Sequence, residues 1–142
     1  MTEPILIDGS CHCGRISYEA RVDPERIGLC HCTDCQVMSG SAFRTVALVP
    51  AADFRLVEGE PAEFVKTADS GNRRVQAFCG HCGTALFATE AGETRRAYSI
   101  RLGTARQHRQ LVPRFECWVE SALPWVTLCP GTRKFPKRPK FD

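Results

Sequence analysis

Cys30-His31-Cys32-Thr33-Asp34-Cys35 places three thiols and an imidazole within six residues. Thiolate is the soft donor that zinc prefers, and a structural zinc takes four protein ligands in a tetrahedron. Three sulfurs leave such an ion one ligand short. Either another side chain completes the set, or one position stays open to a small molecule. His31 is one candidate for closure. A residue between two ligands on an extended chain, however, points to the opposite face. Thr33 or Asp34 is placed to cap a short helix running to about Met38, with Gly40 ending it.

Two further cysteine groups flank this stretch: Cys11-x-Cys13 and Cys79-x-x-Cys82. On an extended strand, residues i and i+2 share a face, so Cys11 and Cys13 can offer two thiolates to one ion. Cys79-Gly-His-Cys82-Gly83 reads as a knuckle, a tight turn whose backbone N–H groups point at sulfur. His12 and His81 lie inside these motifs and are further candidate ligands. The simplest partition gives Cys11, Cys13, Cys79 and Cys82 one closed site, and leaves Cys30, Cys32 and Cys35 as a three-ligand centre of the kind catalytic zinc adopts. The alternative pairs Cys79 and Cys82 with two members of the central trio and strands one thiol. Cys117 and Cys129 stand alone and read as plain buried thiols.

The rest of the chain reads as strands. Ile16, Tyr18, Ala20 and Val22 alternate with polar residues, which is the pattern of a half-buried strand. Asp8-Gly9-Ser10 before it reads as a turn. Residues 42–49, 54–57, 62–66, 73–78, 86–89, 98–102 and 114–120 form further short apolar or alternating runs. Ser70-Gly71-Asn72 is a hairpin signal. Residues 103–113 read as loop, and Trp118 and Trp125 as core. Many short strands with regular turn residues indicate an all-β domain. Residues 1–130 make one zinc-binding domain on this reading, and 131–142 a basic, proline-broken tail.

Composition narrows the class. The 142 residues carry 19 basic and 16 acidic side chains, a net charge of +3. That balance gives no ground for nucleic acid as the partner. No apolar run approaches the ~20 residues of a membrane span, and the first residues lack the features of an export signal. A cytoplasmic protein is expected. Nine cysteines in a reducing compartment point to metal rather than disulfides.

Gly9-Ser-Cys-His-Cys-Gly14, Cys30-His-Cys-Thr-Asp-Cys35 with Ser39-Gly40, Phe78-Cys-Gly-His-Cys-Gly-Thr84, Gly103-Thr104 and Pro124-Trp125 occur in one order. Together they resemble the glutathione-dependent formaldehyde-activating enzyme family, also called the centromere protein V/GFA domain family. The resemblance spans roughly residues 5 to 130. It implies a β-tent of packed antiparallel sheets. It also implies a structural zinc on Cys11, Cys13, Cys79 and Cys82, and a catalytic zinc on Cys30, Cys32 and Cys35. One departure is Gly103-Thr-Ala-Arg106, where the family often carries Gly-Thr-Leu-Asp.

The resemblance implies a carbon–sulfur lyase with two zinc ions per chain. Its substrates would be a small thiol such as glutathione and a small aldehyde, joined as S-hydroxymethylglutathione. A basic rim is expected for the thiol's carboxylates, with Arg44, Arg73 and Arg74 as candidates. The rival reading is a zinc-binding interaction or thiol-carrier module without catalysis. A closed central site would favour it.

Overall fold

The computed structural model describes residues 3–141 and is mostly β, with 41% strand and 16% helix. In chain order the elements are β1 Ile5–Ser10, β2 Ser17–Val22, β3 Ile27–Cys30, α1 Thr33–Ser39, β4 Arg44–Pro50, β5 Phe54–Glu58, β6 Ala62–Thr67, β7 Arg73–Phe78, β8 Ala85–Glu90, β9 Ala97–Arg101, β10 Phe115–Cys117 and β11 Arg133–Lys134. Two sheets result. A small one has the order β1-β2-β5, and a large one runs β11-β10-β3-β4-β9-β8-β7-β6. Pairing is antiparallel except where β10 runs parallel to β3 and β11.

Strand alternation gives the large sheet two distinct faces. Ala47, Ile100, Phe87 and Ala77 lie side by side across four strands, and all are buried. They face the small sheet, whose Ile7, Tyr18, Ala20 and Val22 complete the core. Phe54, Phe87 and Tyr98 stack and edge-pack between the two layers. One residue along each strand, Leu48, Ser99, Ala88 and Gln76 form the parallel row on the other face. That second face floors a cleft.

Several sequence expectations change. Asp8-Gly9-Ser10 belongs to β1, and the turn falls at residues 11–15 instead. Cys11 and Cys13 are therefore not on an extended strand. The amide of Gly14 bonds the Cys11 carbonyl at 3.1 Å, with Gly14 at φ +83°, so the pair sits in a knuckle. The helix is capped by Cys32, whose sulfur accepts from the Cys35 amide, rather than by Thr33 or Asp34. The strand expected over 114–120 stops at Cys117, because Trp118 turns left-handed at φ +55°. Trp125 is 74% exposed rather than core, and Cys129 is only half-buried.

Residues 131–141 pack onto the domain. β11 adds to the sheet edge, and Phe135 and Phe141 pack edge-on against Phe115. The Arg26 guanidinium lies 3.8 Å over the Phe141 ring. A Cβ on Gly28 would lie 2.3 Å from the Phe115 ring, so only glycine lets β10 approach β3 here.

Glu116 is the polar anchor of this edge. It is fully buried, and its Oε1 meets His31 Nε2 at 2.9 Å. Its Oε2 accepts from the Thr132 hydroxyl at 2.7 Å and the Cys129 amide at 3.0 Å. Burial pushes the carboxyl up, but the bonds from Thr132 and His31 win and hold it below the ordinary 4.5. Glu116→Ala should cost about 3–5 kcal/mol, the loss typical of a broken buried pair. Glu116→Gln, which keeps one acceptor, should cost roughly half as much. Urea titration reads both. A depressed carboxyl stabilises the fold above its unfolded pKa, so this contribution should fade as pH falls below about 4.5.

Candidate metal centres and the adjoining cleft

The first centre joins the two sheets. Cys11 and Cys13 lie between β1 and β2, and Cys79 and Cys82 between β7 and β8. Their four sulfurs all fall within 4.8 Å of one another. Cys13 Sγ is 3.6 Å from Cys11 Sγ and 3.7 Å from Cys79 Sγ, across 66 residues of chain. A tetrahedron with ~2.3 Å zinc–sulfur bonds separates its sulfurs by ~3.8 Å. Backbone amides of Ile16, His81 and Cys82 donate to these sulfurs at 3.3–3.4 Å. Gly83, at φ +81°, closes the second knuckle as Gly14 closes the first. The Thr84 hydroxyl accepts from the His12 amide and contacts Cys82 Sγ, tying knuckle to knuckle. Neither His12 nor His81 is in the clustered donor set. The set fits zinc.

The second centre lies at the end of β3 and the start of α1. Cys30, Cys32 and Cys35 bring their sulfurs within 4.8 Å of one another. Hydrogen bonds from the Cys30 and Cys35 thiols hold Cys32 well below the ordinary thiol range, while Cys117 and then Cys32 drive Cys30 far up, and Cys30 and Cys32 drive Cys35 far up. One thiolate is tolerated there and further ionisation is opposed, the behaviour of a coupled cluster. A divalent cation would reverse that preference, so this set also fits zinc. His31 turns to the far side of β3, into the Glu116 pair. Cys117 stands opposite Cys30 in the β3–β10 register, but outside the clustered donor set.

The three thiols open onto a cleft of about 970 Å³. Its lining includes seven cationic side chains and two carboxylates. Arg44 neighbours Cys30 in register, and Arg101 pairs with Val46 one step further along the sheet. Burial brings the Arg101 guanidinium down to about 9, and the neighbouring Arg44 charge adds to this. It remains cationic at neutral pH.

A profile of the glutathione-dependent formaldehyde-activating enzyme matches residues 6–121. The chain belongs to that family. A crystal structure of a Rhodobacter sphaeroides protein shares the fold, at 17% identity and a TM-score of 0.54, covering 90% of this chain and 98% of that one. No curated protein sequence matches.

Within this family member, Arg44, Arg73 and Arg74 all line the cleft, as the sequence suggested. Arg106, at the family's acidic position, pairs with Asp8 at 3.0 Å and lies away from the cleft lining. Sequence reasoning missed Arg101, Lys66 and Arg138. Period-two alternation puts Ser99 and Arg101 on one face of β9, and Arg74 and Gln76 on one face of β7. That signal was present, but which strands lie side by side was not.

Proposed function

We propose that the protein is a zinc-dependent carbon–sulfur lyase acting on thiol–aldehyde adducts. Glutathione and formaldehyde are the reference pair that its family implies. The carrying observation is a three-thiol cluster opening onto a cation-lined cleft, apart from a four-thiol cluster with a complete donor set. Cys11, Cys13, Cys79 and Cys82 take the structural role on this reading, and Cys30, Cys32 and Cys35 the catalytic one. Zinc held by the trio would lower the pKa of an incoming thiol, so that thiolate is available near neutral pH.

The chain's own residues do the rest. α1 and β3 hold the sulfurs, and the Cys35 amide donates to Cys32 Sγ at 3.3 Å. Gln36 braces this junction by donating to the carbonyls of His31 and Ser121. Arg44 and Arg101 place positive charge beside the thiols, where oxygen gains charge during addition. In the forming direction, the thiol sulfur bonds to the aldehyde carbon. The C=O π pair moves to oxygen, which takes up a proton to replace the one the thiol gave up. Cleavage reverses each movement, and no electron acceptor is required.

The cytoplasm is the proposed location. Among the described residues, no helix is long and apolar enough to cross a membrane. Cys117 is the observation that favours the binding-module reading, since it stands opposite Cys30 in the β3–β10 register and would be the fourth thiol for the trio. Two measurements test the proposal. Freshly purified protein should carry two zinc ions per chain. With glutathione it should also accelerate formaldehyde loss above the uncatalysed rate, in proportion to protein, beyond one turnover per site. Thiol binding that stops at one equivalent would reject the lyase in favour of the carrier.

A further inference from the structure

We propose, resting on that thiol–aldehyde reading, that the cleft selects a thiol bearing a phosphate group over an amino-acid thiol such as glutathione. Charge carries the inference. Arg44, Arg73, Arg74, Arg101 and Arg138 line the cleft, and none has an ion-pair partner among the described residues. The cleft's two carboxylates are already engaged. Asp34 bonds Lys66 Nζ at 2.6 Å, and Glu90 bonds Arg96 through both oxygens.

Arg44 sharpens the point. It is only 7% exposed, and its Nε has no hydrogen-bond partner. A buried guanidinium left unpaired is costly unless a ligand supplies the missing anion. Zinc with three thiolates carries a formal charge of −1, so the metal centre offsets only one of the five free guanidiniums.

Glutathione fits this lining poorly. It brings two carboxylates and an ammonium, a net charge of −1. Its ammonium would find no uncommitted carboxylate in the cleft. A phosphate monoester brings about −1.5 to −2 at neutral pH and three strong acceptor oxygens, which arginine forks match in pairs. Arg74 and Arg138 both line the cleft; burial disfavours the Arg74 cation, Glu90 partly offsets that, and the Arg138 charge adds to it, so a dianion relieves this stretch more fully than a single carboxylate does. The volume agrees. About 970 Å³ stands at the upper end of the ~300–1,000 Å³ usual for small-molecule sites. Apolar Val46, Leu48 and Ala88 line part of it and suit an uncharged spacer between thiol and phosphate.

The test is calorimetric titration of the zinc-loaded protein with 4′-phosphopantetheine, pantetheine and glutathione. The first two differ only in phosphate, and neither carries an ammonium. Phosphopantetheine should bind at least roughly tenfold tighter than either other thiol at low salt, and the margin should shrink as salt rises. Arg74→Gln and Arg138→Gln should each collapse the ratio between the two pantetheines toward one. Melting curves would show both variants folded, since each removes an unpaired charge. Equal affinity for the two pantetheines, or tightest binding by glutathione, overturns the phosphate inference and leaves the thiol–aldehyde reading standing. Binding by none of the three thiols overturns both.

Discussion

Cys79→Ser should leave no cooperatively folded domain at ordinary temperature. Cys79 is 2% exposed, takes two backbone amides on its sulfur, and lies 3.7 Å from Cys13. Serine offers a harder donor on a shorter bond, so the tetrahedron cannot close with its usual strength. Structural zinc contributes on the order of 10 kcal/mol in small zinc domains. Whole domains are stable by only about 5–15 kcal/mol. Losing most of the first figure exhausts most of the second. The position in the fold adds to the effect, because this cluster ties β1–β2 of the small sheet to β7–β8 of the large one. Cys11→Ser should behave alike, since Cys11 is equally buried and accepts from Ile16. Circular dichroism melts would show a lost or broad transition and no rescue by excess zinc. A sharp transition near the parent midpoint would show that the four-thiol cluster is not what holds the sheets together.

The cysteine pattern was legible because metal chemistry constrains spacing locally. Cys79-x-x-Cys82-Gly and Cys30-x-Cys32-x-x-Cys35 each carry their geometry within a few residues. Strand positions were legible for a similar reason, as in the alternation of Tyr18, Ala20 and Val22. Two things were not. The Cys11–Cys13 pair looks extended by its i, i+2 spacing, and only the Cys11 carbonyl bonding Gly14 turns it into a knuckle. Strand order was the larger gap. β4 pairs with β9 across about fifty residues, which brings Arg44 and Arg101 to one cleft. No local pattern states that pairing, so the cleft's charge could be sensed in single arginines but not assembled. The C-terminal segment shows the same limit. Its charges suggest a solvated tail, while Phe135 and Phe141 hold it to Phe115.

Cys35→Ala should leave the fold nearly intact and abolish turnover. Cys35 sits in the first turn of α1, where alanine is the better helix former by roughly 0.5 kcal/mol. The small void left by the sulfur works against that gain, so the melting midpoint should move by only a few degrees. The three-thiol cluster itself cannot survive, because two sulfurs do not hold zinc against competition from solvent and free thiols. Zinc content should fall from two ions per chain to one. Aldehyde loss in the presence of thiol should then fall to the uncatalysed rate, a drop on the order of a thousandfold if metal activation of the thiol supplies several kcal/mol. Cobalt loading separates the effects, because thiolate bands from the four-thiol site should persist while those answering to added thiol vanish. The contrast with Cys79→Ser is the discriminating result. Equal loss of stability in both variants would merge the two clusters into one structural unit. Retained turnover in Cys35→Ala would move the chemistry away from the trio. Retained thiol-responsive bands would instead name Cys117, opposite Cys30, as the sulfur that takes its place.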